Sequence, residues 1–346
     1  MTALAPSVAS PPWLRNRTFD LTFVVGTAAV ALASGMIVVA RPSLFGLILF
    51  LDIWLLGYHH IFSTYSRIAD SKASLREHRF LTLQLPFVVL AGVGMLVAIG
   101  GTAALAAVYF YWQWLHYTRQ SYGVERMYGR KEHGGEAPPA DRLMWAVIYV
   151  VPFAGLMHRS AQSQDEFLGG ESWWIPVPSA AVAVGAVVAG AIALAWIGRE
   201  SVRALSARAV SPHTLYVATH LVIFAVGYGL IEDVTHGWLV INIWHNAQYV
   251  LVVWMYNRGR YKNGIDPEHK FVSGLSQPGR VVPYFAISIG LAAIVYLFLG
   301  FGTALLAGTA TPALVYMSIN FHHYVVDSFI WKTRKATHQQ RLGLSS

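Results

Sequence analysis

The chain has 346 residues and no cysteine. That absence excludes disulfides, thiolate-ligated haem, iron–sulfur clusters and a cysteine nucleophile. Charge is scarce too. Only 12% of residues are Asp, Glu, Lys or Arg, against about 25% in soluble domains. The apolar share is 55% and the mean hydropathy is +0.47. Period-two alternation is missing from runs such as Ala180 to Ala195. A closed β-barrel, the other structure able to cross a bilayer, is thereby disfavoured and helices remain.

What is present is a series of apolar runs of about 20 residues, the length a helix needs to span a bilayer. The sequence predicts an all-α, polytopic membrane bundle forming a single domain over 1–346. About ten spans are expected, near 21–40, 43–64, 80–99, 102–122, 142–158, 176–198, 212–231, 236–256, 281–300 and 304–331. The first run is too long for a signal-peptide core and carries no convincing cleavage site, so it reads as an uncleaved anchor.

Orientation follows from the basic residues, because cytoplasmic loops collect Lys and Arg. Of 25 such residues, 23 fall in alternate connections and at the two ends, leaving Arg41 and Arg159 for the opposite side. This places the N-terminal segment (1–19) and the tail (332–346) in the cytoplasm. A multi-pass protein of the bacterial inner membrane is the expected location. The net charge of +8 is therefore a topology signal and not a nucleic-acid footprint. An acidic cytoplasmic electron donor is a further candidate partner for the basic face, beside membrane lipid itself.

Ionisable side chains inside spans are costly and mark functional sites. Seven histidines lie there: His59, His60, His116, His220, His245, His322 and His323. Counted at about 1.5 Å per residue from the span ends, all seven fall in one slab from the inner boundary to mid-bilayer. Helical spacing gathers them into polar stripes: Tyr316, Asn320, His323 and Asp327; Tyr109, Gln113, His116 and Gln120; Asn242, His245, Asn246 and Tyr249; and Asp52, His59 and Ser63. Successive histidines point about 100° apart on a helix, so one of each adjacent pair is expected to touch a neighbouring helix instead.

A bound transition metal explains so many imidazoles, since neutral imidazole is the commonest ligand near neutral pH. Without one, ring nitrogens are left unpaired at about 1–3 kcal/mol each. Asp52, Gln113, Asn246, Gln248 and Asn320 are expected behind the ligands as hydrogen-bond partners of the second ring nitrogens. Asp327 and Tyr249 are the candidate catalytic groups. Asp327, one turn past His323, is alternatively a ligand or the group that orients His323. Asp52, two turns from His59, stands in the same relation to that residue. Tyr109, Trp112 and Trp114 are expected to shape the cavity. His158, His213 and His236 near the interfaces, and His78, His133, His269 and His338 in loops or tail, read as solvated.

Many imidazoles with few carboxylates suit iron, copper or zinc, in one or two ions, above magnesium or calcium. Membrane-embedded histidine-rich di-iron hydroxylases and desaturases use a similar ligand type, but their HxxxH and HxxHH boxes are absent here. The expected function is a non-haem metal oxidoreductase, with iron the first choice, acting with O₂ on an apolar lipid-like substrate. A haem-b or quinone electron-transfer protein and a metal or proton transporter are the alternatives.

Overall fold

The computed structural model describes residues 12–68, 71–307, 311–331 and 335–344. Most of the N-terminal segment, parts of the tail and residues 308–310 of the stretch expected as the last span (304–331) lie outside them. Helices make up 82% of the structure. Among the described residues the only strands are β1 (Glu166–Phe167) and β2 (Gly170–Glu171), which pair as one small hairpin.

Nine long helical stretches follow the apolar runs. They are α1 (Arg17–Ala40), α2 (Pro42–Ile68), α3 (Phe80–Glu132), α4 (Arg142–Gln162), α5 (Ser179–Ala207), α6 (Pro212–Leu230), α7 (Val234–Arg260), α8 (Val281–Ala307) and α9 (Thr311–Ile330). Seven described helices, α1 to α6 and α8, are long and apolar enough to cross a membrane, compatible with a multi-pass membrane protein. The two that fall short, α7 and α9, are the ones richest in polar site residues.

The ends are set by local chemistry. Asn16, Asp141, Ser211 and Asp233 each accept a hydrogen bond from the backbone N–H three residues on, which begins α1, α4, α6 and α7. Pro212 follows its cap at the first helical position, where a missing N–H costs nothing. Asp20 reaches back to the N–H groups of Leu14, Arg15 and Asn16 at 2.7, 3.0 and 3.3 Å, which buries a carboxylate with its partners in place. α3 is broken at Gly100 and Gly101. Gly101 has φ of +64°, a region in which a side chain would be strained.

α7 is the axis of the bundle: none of its residues is exposed. It packs closely on α1 and on the end of α6, where Gly227 and Gly237 let the two backbones meet without side chains between them. The last turn of α6 (Val226–Leu230) is a π-helical turn. Buried Arg159 of α4 caps this end of the helix, taking one carbonyl of the turn and those of the two residues after it. The guanidinium donates to Gly227 O at 2.8 Å, to Glu232 O at 2.7 Å and to Ile231 O. Arg159 is thus a structural clamp, although the sequence offered it only as a topology marker.

Candidate metal centre

Four imidazoles meet between α2, α3, α7 and α9. The ring centres of His60 and His323 are 4.6 Å apart, and those of His116 and His323 5.0 Å. His245 is 4.9 Å from both His60 and His116. Each of three rings is backed by a tyrosine: His60 stacks on Tyr249 at 3.9 Å, His116 on Tyr324 at 4.4 Å, and His245 lies 4.3 Å from Tyr117. Asp327 completes the group. One donor atom from each of His60, His116, His323 and Asp327 fits within 4.8 Å of every other, and all four residues are buried. This group could hold a metal ion. His245 stands at its margin.

The donor atoms are free to bind. Nε2 of His60, Nε2 of His116 and both nitrogens of His323 are buried without a hydrogen-bond partner among the described residues. His323 Nε2 lies 3.5 Å from the Asp327 carboxylate. Unpaired buried nitrogens cost about 1–3 kcal/mol each, and a shared cation offsets that cost for all of them at once. Of the donors, His60 and His323 line a small chamber with His245, Asn242, Asn320 and Tyr316. It leaves about 20 Å³ for the centre of a water-sized sphere, enough for about one water or ion. His116 and Asp327 face a separate, larger cleft.

Behind the rings, polar side chains fix their orientation. Asn246 accepts from His60 Nδ1 at 2.9 Å and donates to Asp52 at 3.3 Å. Asn242 donates to the other Asp52 oxygen at 2.5 Å and accepts from Tyr117 OH at 2.6 Å. Because the amide oxygen of Asn246 can only accept, His60 must carry its proton on Nδ1, which leaves the Nε2 lone pair pointing into the group. On the other side, Asp327 Oδ1 accepts from Thr64 at 3.0 Å and Tyr249 at 2.9 Å. Trp331 Nε1 donates to Tyr249 OH at 2.9 Å.

The register of α2 differs from the expected stripe. A regular helix would align Asp52 with His59 and Ser63, seven and eleven residues on. The segment Ile53–Gly57 is instead a π-helical turn, which accommodates one extra residue and advances everything after it. His60 and Thr64 therefore take the inward face. His59 turns toward α8, edge-on to Phe285 at 5.7 Å. Thr64 was absent from the sequence-derived site; recognising the extra residue at Ile53–Gly57 would have supplied it.

The other candidate residues lie apart. His322 accepts from Tyr65 OH at 2.8 Å and donates from Nε2 to Leu81 O at 2.7 Å, so both its nitrogens are engaged away from the centre. His220 packs on Phe224 and Trp244 at 4.6 and 5.9 Å. Gln113 lines the chamber but accepts from Trp238 at 2.7 Å, not from an imidazole. Gln248 faces Tyr216 OH at 3.5 Å, and Asn320 donates to the Tyr316 carbonyl at 2.9 Å. Tyr109 and Trp112 pack against Phe321, whereas Trp114 faces Phe153 of α4, away from the site. His213 is not solvated: it bridges Glu125 and Glu132 at 3.2 and 2.8 Å. His338 is likewise buried, beside Tyr256.

A larger cleft of about 210 Å³ reaches the centre from one side, between α3, α7 and α9. His116 and Asp327 lie at its buried end, Val124, Met127 and Val252 form walls, and Arg119 and Arg126 stand at its exposed end.

Comparison with protein-family models, with curated proteins and with solved structures finds no match to this chain.

Proposed function

We propose that the chain is an integral-membrane metalloenzyme, a non-haem iron oxidoreductase acting with O₂ on an apolar, lipid-like substrate. The observation that carries this reading is the convergence of three buried imidazoles and one carboxylate, with ring nitrogens unpaired and one donor atom of each within 4.8 Å of every other. His60, His116, His323 and Asp327 would hold the ion, with His245 beside them. Four donors of this mixed kind leave a six-coordinate ion open positions, which suits iron. The remote His59, His220 and His322 favour one ion over two.

Bound iron would supply O₂ activation and electron transfer. The protein's own contribution is orientation. Asp52 and Asn246 hold the His60 tautomer, while Thr64 and Tyr249 hold the Asp327 carboxylate through its Oδ1. A haem would need room for its macrocycle between two axial imidazoles, and the chamber among these rings leaves only about 20 Å³.

The proposal extends to topology. A helix of 48 residues, Leu85–Glu132, would be about 72 Å long at 1.5 Å per residue, more than twice the apolar thickness of a bilayer. The break at Gly100–Gly101 lets α3 cross twice. With α7 and α9 included, the chain then makes ten crossings, with both termini and the basic connections in the cytoplasm of a bacterial inner membrane. An acidic electron donor would dock on that basic face.

Metal analysis of the purified protein tests the central claim. At least one iron per chain at full occupancy is expected. Less than one bound iron, copper or zinc per chain overturns it.

A further inference from the structure

The cleft beside the centre has a chemistry of its own. Its interior is mostly apolar, walled by Val124, Met127 and Val252, and it ends on two members of the donor group, His116 and Asp327. At the other end stand two arginines with no carboxylate partner. Arg126 donates to the carbonyls of Pro138 and Pro139 at 2.6 and 3.2 Å. Arg119 is exposed and makes no hydrogen bond or ion pair among the described residues. A guanidinium that borders an apolar slot offers an anionic head group charge-assisted hydrogen bonds, stronger than those any neutral group would gain.

Size narrows the occupant. A cavity of about 150 Å³ takes one benzene, so 210 Å³ accommodates one acyl chain of about eight carbons. We infer that the cleft is the substrate channel of the centre and that its occupant is a single-chain organic carboxylate. The carboxylate pairs with Arg119, and the chain end points to His116 and Asp327. This inference rests on the metal-centre reading for its purpose, but not for its measurement.

Gly123 supplies a clean block. It lines the cleft, and a Cβ added there meets nothing within 4 Å, so a larger side chain can leave the backbone without a clash at its root. In a helix interior, replacing glycine also favours folding. The experiment uses the full chain in phosphatidylcholine nanodiscs and radiolabelled octanoate, with 1-octanol and nanodiscs containing phosphatidylglycerol as comparisons.

One octanoate per chain is expected, bound about tenfold or more tighter than 1-octanol, the ratio a charge-assisted contact supports. Arg119→Gln is expected to remove that preference, and Gly123→Phe to abolish binding, both with bound metal unchanged. Equal binding of octanol, undiminished binding to Gly123→Phe, or displacement of octanoate by phosphatidylglycerol would each overturn the inference. Octanoate binding of the expected pattern on a protein without metal leaves the channel standing and removes the centre's assignment instead.

Discussion

The adjacent histidine pairs put the centre to its sharpest test, because neighbours with the same burial have different surroundings. His60→Ala and His323→Ala are expected to lose bound metal to below about a tenth of the wild-type content. His59→Ala and His322→Ala should retain it, and metal analysis of the four purified variants decides. Loss in all four would show that folding, not ligation, is being measured. Asn246→Leu removes the partner that fixes the proton of His60 on Nδ1, and partners of this kind are worth about 10- to 100-fold in metal affinity. Competition with a chelator should show that weakening without loss of the site. The histidines and their depth were legible in the sequence because an imidazole among apolar residues stands out. Which member of each pair turns inward was not, since both share the same burial and differ only by a rotation. Thr64 was invisible for a related reason: a threonine in a span is ordinary until its register is known.

At the scale of the element, α2 carries the consequence of its π-helical turn. If the turn absorbs one extra residue, removing exposed Leu55 should restore regular helix and keep Asp52, His60 and Thr64 on one face. That deletion is expected to retain metal. An alanine inserted after Ile61 should separate His60 from Thr64 by a further 100° and reduce metal content at least severalfold. Metal retained on insertion and lost on deletion would reverse the register argument. The helices themselves were readable from the apolar runs, and some ends fall where expected, at Ala40, Arg142 and Pro212. The expected spans 80–99 and 102–122, however, are one helix to Glu132, and the span expected to end at 198 runs to Ala207. Residues 304–307 close α8 instead of opening the last span. The π turns were not readable, because they leave composition unchanged. The Glu125–His213–Glu132 bridge, buried at Glu125 and exposed at Glu132, was missed because His213 sits next to a helix start, where solvent was the simpler expectation.

For the whole molecule, the lack of native cysteine makes topology measurable. Single cysteines at Glu136 and Glu268 should be reached by an impermeant maleimide only after the membrane is opened, whereas Glu171→Cys should react in intact cells. Any other pattern removes the proposed ten crossings. Metal that binds only the folded chain stabilises it by about 2.7 kcal/mol at a hundredfold excess over Kd, so stripping it should lower the thermal midpoint of the wild type and leave His323→Ala unmoved. The last consequence concerns α7. A segment with no lipid-facing side and two asparagines at its heart has little reason to leave the translocon alone, so earlier segments must already be waiting to receive it. His323 and Asp327 emerge from the ribosome later still. A nascent chain would therefore hold a half-built pocket through most of its synthesis, and any ion bound by this group would be acquired only once the final segment has docked.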